Sequence, residues 1–107
     1  IEQPEVILPV TAHPALDKAM HYFGIRGVKA PVTAGFDSGF VADVDAARSL
    51  ISPNTVAIVG SAGTYPHGLI DPITELGQVA LDHGIGLHVD GCLGGFVLAW
   101  PSRWVTP

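Results

Sequence analysis

Short apolar runs alternate along the chain with segments whose apolar residues recur at helical spacing. The runs are rich in β-branched residues, which is typical of strands. They cover residues 5–10, 28–34, 55–62 and 85–90. One helical segment follows each of the first three runs. The order βαβαβαβ predicts a parallel sheet with right-handed crossovers and helices on its faces, and a last helical segment is expected through Trp100.

Residue types that favour helix ends bound the three helices. Pro14 suits the first position of the first helix, and Gly24 suits the position just after its end. A second helix fits between a capping Asp43 and about Leu50, and a third is expected to begin at Asp71, which a proline follows.

Two prolines inside the first two runs, Pro9 and Pro31, restrict how those strands pair, because proline has no N–H to donate. We expect the second strand at a sheet edge, which gives the order 2-1-3-4 with a switch point between strands 1 and 3. The carboxyl ends of parallel strands share one rim, so His13, Ser61 and Asp90 should face it together. Strands lie about 4.8 Å apart, so groups leaving strands 1 and 4 are separated by roughly 10 Å, enough for an aromatic ring.

Composition narrows the class of protein. The length of 107 residues suits one domain or part of one. Charged residues make up 14% of the chain, below the roughly 25% of soluble domains, which suits a segment buried within something larger. A net charge of −5 with only five Lys plus Arg argues against a nucleic-acid partner. The single Cys92 excludes an internal disulfide, and no run reaches the ~18 apolar residues of a membrane span, so a cytoplasmic location is expected.

The stretch at 85–96 holds the first candidate for chemistry. Asp90 ends an alternating strand and is followed by several glycines that free the backbone to turn. Open α/β sheets place binding groups at this position of a strand. A carboxylate there also caps a following helix or holds a loop, and that alternative stays open. His88 lies on the same strand face, where we expect it to pack or to support Asp90 through a hydrogen bond.

Three segments carry a resemblance to a known family: TAHPALDKAMHYFGI at 11–25, NTVAIVGSAGTYPHGLIDPI at 54–73 and GLHVDGCLGGF at 86–96. They resemble the matching segments of sphingosine-1-phosphate lyases, within the pyridoxal-phosphate-dependent group II decarboxylase superfamily. The likeness covers residues 5–98. It implies that residues 1–107 are part of the large domain of a fold-type I transferase-like enzyme, and that the cofactor is pyridoxal 5'-phosphate.

The resemblance implies two catalytic residues. Asp90 would pair with the pyridinium nitrogen of the cofactor and make its ring a better electron acceptor. His13 would stack on a face of that ring. The alternative for His13 is a plain helix cap.

The resemblance also implies residues around the cofactor. Ser61 and Cys92 match residues that line the cofactor pocket, and Tyr65 and His67 match a loop of the substrate channel; no metal site is implied. An inert, buried small residue is the alternative for Cys92.

The chain departs from the family in two ways. Gly91 stands where the family has alanine, which should loosen the turn after the aspartate. The family's Schiff-base lysine lies on a later strand, beyond residue 107, and the lysines of this chain are Lys18 and Lys29. The family's phosphate-binding glycine-rich loop is likewise expected upstream of Ile1. We therefore expect the chain to be a fragment and, by itself, inactive.

The implied activity is cleavage of the Cα–Cβ bond of a phosphorylated long-chain base, a small-molecule amine, by a homodimeric parent enzyme. An amino-acid decarboxylase is the alternative within the superfamily. A non-catalytic α/β interaction module is another, since an exposed edge on strand 4 would invite association. A metal hydrolase is a further alternative, with ligands at His67, Asp71, His88 and Asp90.

Overall fold

A computed structural model describes residues 2–34 and 39–99. Strands and helices alternate along this part of the chain, as the sequence predicts. Their bounds are β1 Glu5–Pro9, α1 Pro14–Phe23, β2 Arg26–Ala30, α2 Val44–Ser49, β3 Thr55–Ser61, α3 Ile73–His83, β4 Gly86–Asp90 and α4 Gly94–Val97. The last helix ends at Val97, with Leu98 as its C-cap, so the prediction that it continues through Trp100 is wrong.

The four strands form one parallel sheet in the order β2-β1-β3-β4, which confirms the predicted order. Alternate residues of the central strands enter two separate apolar clusters. Ile7 of β1 joins Leu76 of α3 in one cluster, and Leu8 joins Met20 of α1 in the other. Because successive side chains of a strand point to opposite faces, α1 covers one face of the sheet and α3 covers the other.

The switch point lies where β1 and β3 stop pairing. β1 pairs with β2 as far as Pro9, but with β3 only as far as Ile7, which lies opposite Ile58. Pro9 is therefore tolerated in a central strand, since no β3 carbonyl requires its missing N–H. Beyond Ile7, β1 pairs on the β2 side only, and the gap that opens between β1 and β3 creates a crevice at the carboxyl edge of the sheet.

The second strand was expected at 28–34, and this prediction is wrong by several residues. Gly24 ends α1 in a left-handed conformation with φ of 67°, and the amide of Arg26 already donates to the carbonyl of Pro4 at 2.9 Å. The strand ends at Ala30 because Pro31 follows. The strand begins earlier than predicted because an edge strand can contain polar residues. Such residues interrupt the apolar run from which the strand was predicted.

The third helix begins close to its predicted start, but Asp71 does not cap it. α3 starts at Ile73, and its N-cap residue Pro72 makes no side-chain cap hydrogen bond. Asp71 is buried, with an exposed fraction of 2%, and accepts backbone hydrogen bonds from Ala42 and Ser61. The carboxylate therefore joins two segments of the chain to each other.

The end of the described chain exposes apolar side chains on and around α4. Phe96 is 82% exposed and Val97 is 63% exposed. β4, the last strand, pairs with β3 on one side and has an open edge on the other within the described residues. Among these residues, no helix has both the length and the apolar character that crossing a membrane requires.

Two glycines near this end differ in the space that surrounds them, and this yields a stability prediction. A Cβ on Gly94 would overlap the backbone carbonyl oxygen of Ala62, whereas a Cβ on Gly91 would approach nothing closer than 3.4 Å. We expect Gly94→Ala to lower the free energy of unfolding of the full-length protein by about 1–3 kcal/mol. Gly91→Ala, the matched control, should change it by less than about 0.5 kcal/mol. Urea unfolding measures both, and equal effects of the two substitutions would contradict the packing described.

Candidate active site

A cavity of about 510 Å³ opens at the carboxyl edge of the sheet. This volume lies within the roughly 300–1,000 Å³ of small-molecule sites. The cavity is lined by residues that follow β1 and β3 and by residues in and after β4. His13 and Asp90 therefore share a rim as expected, but Ser61 is not part of it. The lining residues are His13, Ala15, Leu16, Gly63, Tyr65, His88, Asp90, Cys92 and Leu93.

His13 both caps α1 and lines the cavity. Its backbone is extended at the N-cap position, and its Nδ1 accepts a hydrogen bond from the amide of Ala15 at 3.0 Å. A ring nitrogen that accepts a hydrogen bond carries no proton, so the neutral imidazole holds its proton on Nε2. The two alternatives for His13 are thus compatible, because the cap bond sets the orientation of a ring that also lines the cavity.

Tyr65 makes a second contact with the His13 ring, in addition to the hydrogen bond from Ala15. The two ring centroids lie 5.0 Å apart with an interplanar angle of 66°, which is an edge contact. Such contacts favour one mutual orientation of the rings. The loop after β3 therefore contributes to the placement of an imidazole that belongs to the loop after β1.

Asp90 accepts hydrogen bonds from two backbone amides, one just after β3 and one in the turn after β4. It lies opposite Ser61 in the β3–β4 pairing, and its carbonyl accepts from the amide of Ala62 at 2.9 Å. Its Oδ1 accepts from the amide of Cys92 at 3.1 Å, so Asp90 does hold the turn. Its Oδ2 makes no hydrogen bond within residues 2–34 and 39–99. The carboxylate is therefore oriented while one oxygen stays able to accept a bond in the cavity.

Two further side chains beside Asp90 line the cavity. His88 is exposed and lines the cavity, although the sequence predicted only a packing or supporting role for it. Its position two residues before Asp90 puts both side chains on one face of the strand, and this spacing could have identified it as a site residue. Cys92 lines the cavity with a free, exposed thiol, so the alternative of an inert, buried residue is wrong. Asp90 and its turn thus bring an imidazole and a thiol to the same wall.

Ser61 and His67 are not among the residues that line the cavity. Ser61 is only 2% exposed at the end of β3, because its amide donates to Asp71 and the strand end is covered. His67 packs on the ring of Phe40 with centroids 4.9 Å apart. Phe40 has a φ of 68°, unusual for a residue with a side chain, and nothing in the hydrophobic pattern identified it. The roles implied for Ser61 and His67 stay predictions.

The four residues considered as metal ligands do not come together. The Asp71 carboxylate accepts hydrogen bonds from two backbone amides, and the His67 ring packs on Phe40. His88 and Asp90, by contrast, line the cavity. In the part of the chain that the structure describes, no three His, Cys, Asp or Glu side chains are grouped so that they could hold a metal ion.

The two lysines also lie elsewhere. Lys29 pairs with Asp17 at 2.6 Å, and the Lys18 ammonium lies 5.7 Å from the centre of the Tyr22 ring. Neither is among the residues that line the cavity. A lysine that reacts in this cavity would have to come from another part of the protein.

Known proteins share both the sequence and the fold of this region. The chain is 56% identical over 103 residues to the sphingosine-1-phosphate lyase of Arabidopsis thaliana, covering 96% of this chain and 18% of that protein. It is 44% identical over 97 residues to a probable L-tyrosine/L-aspartate decarboxylase of Methanothermobacter thermautotrophicus, covering 91% of this chain and 26% of that protein. The chain belongs to the superfamily of the sphingosine-1-phosphate lyases and the group II decarboxylases.

The fold agrees with this family. The sphingosine-1-phosphate lyase of Burkholderia pseudomallei superposes with a TM-score of 0.91 at 44% identity, covering 100% of this chain and 24% of that one. The structural neighbours are fold-type I pyridoxal-phosphate-dependent enzymes. No protein-family model matches the chain. The chain spans about a fifth of the length of the sphingosine-1-phosphate lyases that it matches.

The double role of His13 can be separated by substitution. His13→Ala removes the cap and should lower the free energy of unfolding of the full-length protein by about 1 kcal/mol. His13→Asn restores a capping side chain and should recover that loss, although it removes the ring that contacts Tyr65. Chemical unfolding of the two variants beside the unsubstituted protein measures the difference. Equal stability of the alanine and asparagine variants would mean that the Nδ1 bond does not stabilise α1.

Proposed function

We propose that this chain supplies part of the cofactor and substrate site of a pyridoxal 5'-phosphate-dependent carbon–carbon lyase that acts on phosphorylated long-chain bases. The observation that carries the proposal is that His13 and Asp90, which match the family's ring-stacking and ring-nitrogen residues, line one cavity. The identity of 56% to a sphingosine-1-phosphate lyase supports the lyase assignment over other reactions of the superfamily.

The residues of the cavity fit a flat, polar-edged ring. Asp90 is oriented through its Oδ1 and retains Oδ2 as an acceptor, which suits a protonated ring nitrogen. His13 offers a ring face whose orientation is set by two contacts, one from Ala15 and one from Tyr65. Leu16 and Leu93 give the same cavity apolar surface. When bound, pyridoxal 5'-phosphate supplies a ring that accepts electrons from the carbon next to the substrate amine.

Each of these side chains has a task in such a reaction. Asp90 would accept a hydrogen bond from the ring nitrogen and would help to keep a proton there, because a carboxylate beside a cation favours the charged form. His13, whose Nδ1 accepts from Ala15 and therefore carries no proton, would cover the ring without placing a second positive charge next to it. Tyr65 keeps the imidazole in that orientation. The bond that breaks is Cα–Cβ of a 1-phosphorylated 2-amino-3-hydroxy alkane, which releases an aldehyde and an amino phosphate.

Decarboxylation of an amino acid is the second candidate, favoured by the 44% identity to a probable L-tyrosine/L-aspartate decarboxylase. The two reactions release different products, an aldehyde in one and carbon dioxide in the other. Incubating the full-length protein with a phosphorylated long-chain base, and separately with tyrosine and aspartate, distinguishes them. The lyase proposal requires aldehyde from the first substrate and no carbon dioxide from the amino acids.

The rest of the site is proposed to come from other parts of a longer protein. Lys18 and Lys29 do not line the cavity, so the Schiff-base lysine would be supplied from elsewhere. The open edge of β4 and the exposed apolar residues of α4 offer a surface for such parts. A dimeric parent enzyme and a cytoplasmic location stay predictions.

Asp90→Asn in the full-length protein tests the proposed function. An asparagine keeps the size of the side chain but lacks the negative charge, so we expect kcat for aldehyde release to fall by about 100-fold or more. The absorbance of the bound cofactor should also change, because its ring nitrogen loses the proton. Asp82→Asn is the matched control, since Asp82 is an exposed carboxylate on α3 that bonds Gln78. A kcat for Asp90→Asn within twofold of the control would refute the role of Asp90.

A further inference from the structure

Asp71 is a buried carboxylate that the proposed reaction does not use. It is 2% exposed, and both of its oxygens accept backbone hydrogen bonds. Oδ1 accepts from the amide of Ala42 at 2.9 Å, and Oδ2 accepts from the amide of Ser61 at 2.8 Å. None of the ion pairs in residues 2–34 and 39–99 includes Asp71. Both of its oxygens are therefore satisfied by backbone N–H groups from two segments that are far apart in sequence.

Asp71 closes the loop at residues 61–71. Its own amide donates to the carbonyl of Ser61 at 2.9 Å, so Ser61 and Asp71 are joined by bonds in both directions. Above this closure Ala62 and Ile70 form an antiparallel bridge. Thr64, completely buried, accepts from the amide of Leu69 through its hydroxyl at 3.3 Å. The loop is therefore a closed unit whose base depends on one carboxylate.

The same carboxylate joins this loop to a neighbouring segment. Ala42, which donates to Asp71, lies two residues after Phe40. Phe40 packs against His67 of the loop, with ring centroids 4.9 Å apart. The loop is thus attached to the segment at 40–42 twice, by a buried hydrogen bond at its base and by a ring contact farther along.

We propose that Asp71 is a positioning residue for the cavity: it fixes the loop at 61–71 so that Tyr65 contacts His13. Tyr65 lies within this loop and lines the cavity, and its ring is 5.0 Å from that of His13. The consequence for cofactor binding rests on the proposed function. The role in holding the loop does not.

An asparagine cannot replace this carboxylate. Its single oxygen accepts one of the two backbone N–H groups, while its amide nitrogen, a donor, faces the other. One amide at the base of the loop is then left without an acceptor in a buried place. Asp71→Asn keeps the size of the side chain, so the change tests the hydrogen bonds and not the packing.

Hydrogen exchange of the cofactor-free, full-length protein tests the loop directly. In Asp71→Asn we expect the amides of residues 61–71 to exchange at least tenfold faster, and those of α1 to keep their rates. Asp43→Ala is the matched control, because Asp43 also accepts a backbone N–H, from Ala46 at 3.1 Å, but caps α2. It should accelerate exchange in α2 alone. Unchanged exchange at 61–71 in Asp71→Asn would overturn the proposal.

Pyridoxal 5'-phosphate binding tests the consequence for the cavity. We expect the Kd for the cofactor to rise at least tenfold in Asp71→Asn and to stay within twofold in Asp43→Ala. Faster loop exchange with an unchanged Kd would make Asp71 a purely structural residue and overturn the positioning role. If the unsubstituted protein does not bind the cofactor, the proposed function fails, and the exchange result alone decides whether Asp71 holds the loop.

A second variant covers the case in which Asp71→Asn does not fold. Thr64→Val removes the hydroxyl that accepts from Leu69 and leaves Asp71 in place. We expect the same acceleration of exchange confined to 61–71, with a raised Kd for the cofactor. Loop exchange and a Kd equal to those of the unsubstituted protein would then overturn the proposal.

Discussion

Parallel pairing of β1, β3 and β4 is the constraint on which the site depends. It brings the carboxyl ends of three strands to one edge, while the end of pairing between β1 and β3 at Ile7 opens a crevice there. His13 enters this crevice from one side and Asp90 from the other, with β3 between them. The distance between the two walls is therefore set by backbone hydrogen bonds, which are far stiffer than the side chains they place.

The side chains at this edge are oriented by the same bonds that end secondary structure. His13 caps α1 through Nδ1, and the same residue lines the cavity. Asp90 holds the turn after β4 through one oxygen and keeps the other as an acceptor. Asp71 uses both oxygens on backbone amides and so closes the loop that carries Tyr65. Structural hydrogen bonds on His13 and Asp90 thus limit the rotamers of two side chains that line the cavity, whereas Asp71 holds the loop and does not line the cavity itself.

Hydrophobic periodicity and helix-end residues predicted the element order, the strand order and the capping role of Asp43, because these depend on local backbone chemistry. A helix cap was only the alternative for His13, which the structure shows to cap α1. The bounds of β2 were missed, since an edge strand needs no apolar run. The environment of Asp71 was missed as well, because its partner Ala42 is 29 residues away and only the tertiary structure brings them together. Ser61 was placed at the correct strand end, but its burial depends on how the loop folds over it.

The proposed function requires one flat ring to be held between the imidazole of His13, which follows β1, and the carboxylate of Asp90, the last residue of β4. The most direct measurement is a crystal structure of the full-length protein with pyridoxal 5'-phosphate bound. We expect the ring to lie in the cavity, with its nitrogen within hydrogen-bonding distance of Asp90 and one face against His13. A ring bound elsewhere in the protein, or one whose nitrogen contacts a different residue, would contradict the account.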